Sequence, residues 1–305
     1  MKKALKFSVP EQKRVRMIVN TDCKNEADDQ FALAHHLMTP MFDVKGIIAC
    51  HFEANPRYGK GNSMQASYDE IMLMLDLMEL TREYPVLKGA QYPLPDEKTP
   101  VPSEGARLII EEAMKDDPRP LFVAFQGAIT DLAAAILMEP RIVGRLTAIW
   151  IGGGAYPHGG SEFNLMNDIN AANVVFDSGV SLWQVPKNVY KMLNLSLSEL
   201  QARVAPCGRV GEYLFRQMVE FNDSLGDRAR WPHGETWCIG DQPTIGLLLE
   251  DKDNDHYTMR HAPRVNPDCT YALRDDSPMI RVYHTTDVRL TLEDFYCKLK
   301  LFFGD

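Results

Sequence analysis

The sequence predicts an α/β fold: a single domain with a mainly parallel central sheet covered by helices on both faces, in an open, doubly wound arrangement. Three observations lead there. Short apolar, β-branched runs alternate with segments of helical periodicity from about residue 14 to residue 177. The 305 residues are 45% hydrophobic and 25% charged, an ordinary globular composition with enough length for a substantial core. No repeat, low-complexity tract or linker divides the chain; the Pro-rich stretch 93–102 is expected to be a surface loop. The domain is therefore expected to span residues 1–305, with a more helical segment at about 195–250.

Arg14–Val19 is the first expected strand, and it runs into the acidic stretch Asn20-Thr-Asp22-Cys-Lys-Asn-Glu-Ala-Asp28-Asp29. Phe31, Leu33, Ala34 and Leu37 then predict a helix stopped by Pro40. Val44–Ala49 is a second strand, and the polar residues 51–63 form a loop. Met64–Thr81 is a helix by the spacing of Ile71, Leu75 and Met78. Ala106–Lys115 (helix), Pro120–Phe125 (strand), Ile129–Met138 (helix), Leu146–Ile151 (strand) and Ala171–Asp177 (helix) continue the alternation. Val210–Asn222 is the clearest later helix. Tyr257–Arg260 and Met279–Tyr283 are β-like, and Leu292–Phe303 is a closing helix.

The formal net charge of -9 argues against nucleic-acid binding, and no apolar run reaches membrane-spanning length. The first ten residues lack the apolar core of a signal peptide. Six scattered cysteines with no CxxC pair disfavour a disulfide framework or a zinc site and suit a reduced, cytoplasmic protein. No GxSxG, P-loop or GxGxxG motif occurs.

Ligands of open α/β sheets bind at the carboxyl ends of the strands, which is where Asp22, Asp28 and Asp29 fall. Asp22, Asp28 and Asp29 lie within eight residues and repel one another unless a cation neutralises them, and hard oxygen donors suit Ca²⁺ or Mg²⁺. An acidic first helical turn is the competing explanation. Three further segments carry candidates. Gly152–Gly154 follows a strand, as a ligand contact or a tight turn. Glu162, Asn164, Asn167 and Asp168 could read a polyol or serve as loop residues. Asp241, ahead of the apolar run Thr244–Leu249, could be a distant metal ligand, a helix cap, or both. His35 and His36 are expected to be structural.

Together these segments resemble the inosine-uridine-preferring nucleoside hydrolase family over roughly residues 14–250. The acidic stretch is similar to the family's Asp-x-Asp-Pro-Gly-x-Asp-Asp loop. Gln126-Gly-Ala-Ile-Thr-Asp-Leu-Ala133 resembles its Thr-Gly-x-Leu-Thr-Asn-x-Ala segment. Glu139–Val143, Gly152–Gly154, Glu162-Phe-Asn164 and Asp168 with Ala171-Ala172 follow in family order, and Gly240-Asp241 falls at its His-Asp-Pro. The resemblance implies a calcium-dependent hydrolase that cleaves a ribonucleoside or other riboside to ribose and free base. It also implies a homodimer or homotetramer. Asp22 would ligate calcium and act as general base; Asp29, Asp241 and the backbone carbonyl of Gln126 would be further ligands. Asp28 would bind a ribose hydroxyl, and Glu162 and Asn164 the far side of the sugar. Trp237, with His233 and Glu235, would face the leaving base.

The chain departs from the pattern in four places. Its first loop is two residues longer and lacks Pro-Gly. Asn20 stands where the family has Asp, and Gly240 where it has His. The family's sugar-binding Asn after the second strand has no clear counterpart; Glu53, Asn55 and Asn62 are all open. These departures keep a second function in play: a metal-dependent protein of the same fold that binds a ribosyl ligand without turnover. A phosphatase with an Asp-x-Asp nucleophile is disfavoured, because Asn20 holds the nucleophile's place.

Overall fold

A computed structural model describes residues 5–226, 234–251 and 253–304. Its centre is an eight-stranded sheet. The chain enters it by β1 (Val15–Thr21), passes through α1 (Asp29–Met38) to β2 (Phe42–Ala49), then through α2 (Ser63–Leu77) to β3 (Val86–Lys88). It returns through α3 (Glu104–Met114) to β4 (Leu121–Phe125), then α4 (Thr130–Met138) and β5 (Thr147–Ile151). Next come α5 (Phe163–Asn167), α6 (Ile169–Ser178), β6 (Ser181–Val185) and α7 (Lys187–Tyr190). The remainder is β7 (Asn194–Ser196), α8 (Leu197–Arg203), α9 (Gly208–Leu225), β8 (Thr236–Cys238) and α10 (Pro243–Leu249), then β9 (Tyr257–His261), β10 (Arg264–Val265), β11 (Tyr271–Ala272), β12 (Met279–Tyr283) and α11 (Val288–Phe303).

The strand order is β3-β2-β1-β4-β5-β6-β12-β9, parallel throughout except for the edge strand β9. The chain winds one way from β1 to β3 and the other way from β4 to β6. The order therefore reverses between β1 and β4, and this gap at the carboxyl ends is where such sheets open a ligand crevice. Alternate residues of β1 supply both faces. Met17 and Val19 pack with α1, α2, α9 and α11, while Ile18 packs with residues of α3, α4 and α6.

The expected sheet and its helical cover are present, with differences at particular elements. The helix expected over Met64–Thr81 ends at Leu77, and Glu79 turns the chain with φ 60°. The helix expected from Ala106 starts two residues earlier, because the Ser103 side chain accepts the Ala106 N–H; such a cap is worth about 1 kcal/mol. β3 and β6 were not foreseen. Nor was the small antiparallel pair β7–β8, which lies within the segment expected to be more helical.

Candidate active site

The turn between β1 and α1 is closed by backbone and side-chain hydrogen bonds. Asp22 O accepts Asn25 N–H at 2.7 Å, and Asp28 O accepts Phe31 N–H at 3.0 Å. Without Pro-Gly the turn is pinned by two glutamines: Gln30 Nε2 donates to Cys23 O at 2.6 Å, and Gln217 Nε2 donates to Ala27 O at 2.7 Å. Thr21 Oγ1 donates to Asp29 Oδ1 at 2.5 Å. Gly240 N–H donates to Asp28 Oδ2 at 2.8 Å, tying the turn to the segment before α10.

That segment is held against α1 by two buried histidines. His35 Nδ1 lies 2.6 Å from Gln242 Oε1, and His36 Nε2 lies 3.1 Å from Thr244 Oγ1. Burial lowers both imidazole pKa values, so these rings act as neutral structural groups, as expected. Asp241 does not cap α10 with its carboxylate. Its backbone carbonyl accepts the Thr244 hydroxyl, and its side chain faces the acidic turn.

The opposite wall comes from β4 and β5. Gln126 follows β4 directly, and its carbonyl accepts Asn164 Nδ2 at 3.0 Å; the same amide group donates to Ile151 O at 2.9 Å. Glu162 caps α5. One carboxylate oxygen accepts Gly153 and Leu165 N–H, and the other accepts Asn164 N–H and the Tyr190 hydroxyl, the last at 3.1 Å. Gly127 permits a close approach: a Cβ there would lie 2.8 Å from the Asp22 carboxylate.

Asp22, Asp28, Asp29, Gln126, Glu162, Asn164 and Asp241 thus line one cleft at the sheet's reversal point. Carboxylate oxygens of Asp28, Asp29 and Asp241 lie within 4.8 Å of one another. Three buried acceptors beside them, Asp22 Oδ2, Asn25 Oδ1 and Gln126 Oε1, have no hydrogen-bond partner among the described residues. Buried acceptors without donors are costly, and so many oxygens facing one space fit a hard divalent cation and sugar hydroxyls.

The electrostatics agree. Burial and then the charge of Asp28 push Asp29 up to about 8, and the same two causes raise Glu26 to about 8. Burial raises Asp28 to about 6. Asp22 and Asp241 are driven well above the carboxylate range by burial, and then by Asp29. With neither cation nor protons, the cluster is strongly self-repulsive.

The eighth expected residue, Trp237, is elsewhere. It is buried in β8, edge-on to Phe221 at 5.3 Å, and forms core rather than cleft wall. Its partner in the antiparallel β7–β8 pair is Leu195, which belongs to the same core. Glu235 is exposed, and His233 lies outside the described residues. Glu53, Asn55 and Asn62 do not line the cleft; Glu53 accepts Gly61 N–H at 2.9 Å and the Ser63 hydroxyl. Asp168 is a buried hub that accepts Ala171 and Leu94 N–H, each at 2.8 Å. Sequence reasoning missed Asn25, Glu26, Phe163 and Tyr190, all of which line the cleft. The first two lie inside the acidic stretch. Tyr190 follows β6, and recognising that strand would have drawn attention to its carboxyl end.

Comparisons with known proteins bear on the family and the fold. The family model described as inosine-uridine preferring nucleoside hydrolase matches residues 17–291. An inosine-uridine preferring nucleoside hydrolase of Leishmania major is 28% identical over 152 residues, 48% of each chain, so this chain spans about half the length of that relative. The pyrimidine-specific ribonucleoside hydrolase RihA of Salmonella arizonae is 24% identical over 255 residues, covering 75% of this chain and 78% of the relative. In three dimensions the chain is similar to a purine-preferring ribonucleoside hydrolase from Gardnerella vaginalis. That likeness has a TM-score of 0.74 at 18% identity, over 93% of this chain and 98% of the other.

Proposed function

Because the chain belongs to the inosine-uridine preferring nucleoside hydrolase family, we propose that it hydrolyses the N-glycosidic bond of a ribonucleoside to ribose and free base. The observation that carries the reading is the set of carboxylates and donorless acceptors converging where the sheet order reverses. Asp22, Asp29, Asp241 and the Gln126 carbonyl would hold calcium. A bound calcium would lower the pKa of water and orient it with the ribose diol. Asp22 takes the proton of the attacking water as its oxygen bonds to the anomeric carbon. The bond to the base breaks, and the base leaves with the electron pair and takes up a proton from solvent water, while Asp22 returns its proton to solvent. Positive charge develops on the sugar as in glycoside hydrolysis generally, and the surrounding carboxylates stabilise it. Asp28 accepts a ribose hydroxyl, while Glu162 and Asn164, fixed by their own hydrogen bonds, hold the far side. We place this activity in the cytoplasm, in a homodimer or homotetramer, on a small-molecule nucleoside or other riboside.

Released reducing sugar from a panel of purine and pyrimidine nucleosides tests the proposal. Asp22→Ala is expected to lower the rate by ~10²–10⁴-fold, and a chelator to abolish it. Nucleoside binding without any ribose release by the wild type would instead support the non-catalytic binder.

One observation favours a second assignment within the site: Asp28 belongs to the carboxylate trio whose oxygens lie within 4.8 Å of one another, so it could ligate the cation itself. Calorimetry on Asp28→Asn separates the roles. Unchanged calcium affinity with a raised KM supports the sugar contact; lost calcium affinity supports ligation.

A further inference from the structure

The cleft adjoins a second cavity of about 180 Å³. The two spaces share Glu26, Asp28, Phe163, Tyr190 and Gly240. The second one adds buried Cys238 and the more exposed Lys187 and Lys191 to its lining. If the sugar lies among the carboxylates, this adjoining space is placed to receive the group it loses.

Tyr190 stands at the junction. A Cβ built on Gly240 would lie 2.9 Å from Tyr190 Cδ2, so the phenol ring covers Gly240 where a side chain at 240 would project. Three contacts fix the arrangement. The Tyr190 hydroxyl donates to Glu162 Oε1 at 3.1 Å, the Cys238 thiol donates to Tyr190 O at 3.4 Å, and Gly240 N–H is held by Asp28. Phe163 lines the same space, which gives the cavity two aromatic walls. Aromatic faces of this kind favour offset or edge contacts with a flat ring.

We propose that Tyr190 is the specificity-determining residue for the leaving group. It forms the wall against which a planar heteroaromatic base packs, it takes the space of a side chain at position 240, and it couples that wall to sugar binding through Glu162. The proposal rests on the nucleoside hydrolase reading above and adds which residue selects the base.

The test uses four proteins: wild type, Tyr190→Ala, Gly240→Ala and the double variant. Two readouts are taken: thermal unfolding, and the ratio of kcat/KM for inosine to that for uridine. Removing the ring widens the cavity and is expected to raise the purine-to-pyrimidine ratio roughly tenfold. A methyl group at 240 pushes the ring into the cavity and is expected to lower the ratio. The double variant should unfold at a higher temperature than the sum of the single losses predicts, because the methyl group then meets no ring. A fifth protein, Tyr190→Phe, keeps the wall but loses the Glu162 bond; it should raise KM for both nucleosides alike and leave their ratio unchanged. A ratio unmoved by Tyr190→Ala, or additive losses in unfolding temperature, would overturn the proposal. If the wild type releases no ribose, the hydrolase reading fails by itself. Calorimetric affinities of inosine and uridine for the same proteins then stand in for the kinetic ratio, with the same two outcomes.

Discussion

At the scale of single residues, the departure at Asn20 is answered elsewhere in the chain. Asn20 Nδ2 donates to Asp131 Oδ2 at 2.9 Å, and both residues are fully buried. Asp131 stands where the family segment has Asn, so these two bonded positions carry the family's carboxylate and amide in exchanged places. Asp131 also accepts Ser103 Oγ at 2.6 Å and Ala90 N–H at 2.9 Å, which compensates the buried charge. Asn20→Asp alone is expected to destabilise the protein by about 3–5 kcal/mol, since it sets two buried carboxylates against each other. Adding Asp131→Asn should restore most of that loss. Urea denaturation of the two single variants and the pair measures the coupling, and additive losses would contradict the exchange. The bond joins positions 111 residues apart, so the sequence shows the departure at Asn20 by itself and only the fold shows the pair.

At the scale of elements, the turn between β1 and α1 carries the most electrostatic strain. Glu26 and Asp29 have pKa values near 8 and Asp28 near 6, all above their ordinary values because burial disfavours charge. A carboxyl group with a raised folded-state pKa binds protons more tightly folded than unfolded. Its stabilising contribution is therefore present at low pH and is lost as pH rises through the folded value. In chelator, the unfolding temperature should accordingly fall as pH rises from about 6 to about 8. Saturating calcium should flatten that slope and stabilise the protein more at pH 8 than at pH 6, because cation and protons compete for the same oxygens. Calorimetric scans with and without calcium check this; equal stabilisation at both pH values would argue against a cation among these carboxylates. The acidic turn, the strands flanking it and most helices were legible from residue periodicity. β6, β7 and β8 were not: β7 and β8 have three residues each, β6 carries Ser181 and Gln184 among its five, and tertiary pairing makes them strands. Losing β6 hid Tyr190, and missing β8 made Trp237 look like a cleft residue.

At the scale of the whole molecule, the cleft is assembled from segments far apart in sequence that meet because the sheet reverses between β1 and β4. A ligand in the cleft should therefore protect all of them together. Hydrogen exchange with calcium and ribose is expected to slow amides at 22–29, 126–127, 151–153 and 240–241. The edge strand β9, which lies at the end of the sheet and has exposed central residues, should be unaffected. Protection confined to 22–29 would mean that the turn binds a cation by itself. Among the described residues, no helix is long and apolar enough to cross a membrane.

The sequence alone determined the α/β class, the acidic turn at the end of the first strand and the resemblance to a family. These depend on local periodicity and on the order of motifs, which the chain carries whether or not it is folded. The tertiary structure decided which oxygens converge, that Asn20 and Asp131 are partners, that Trp237 belongs to the core, and that Tyr190 covers Gly240. Each of these is a contact between distant residues, fixed by strand order and packing rather than by neighbours along the chain.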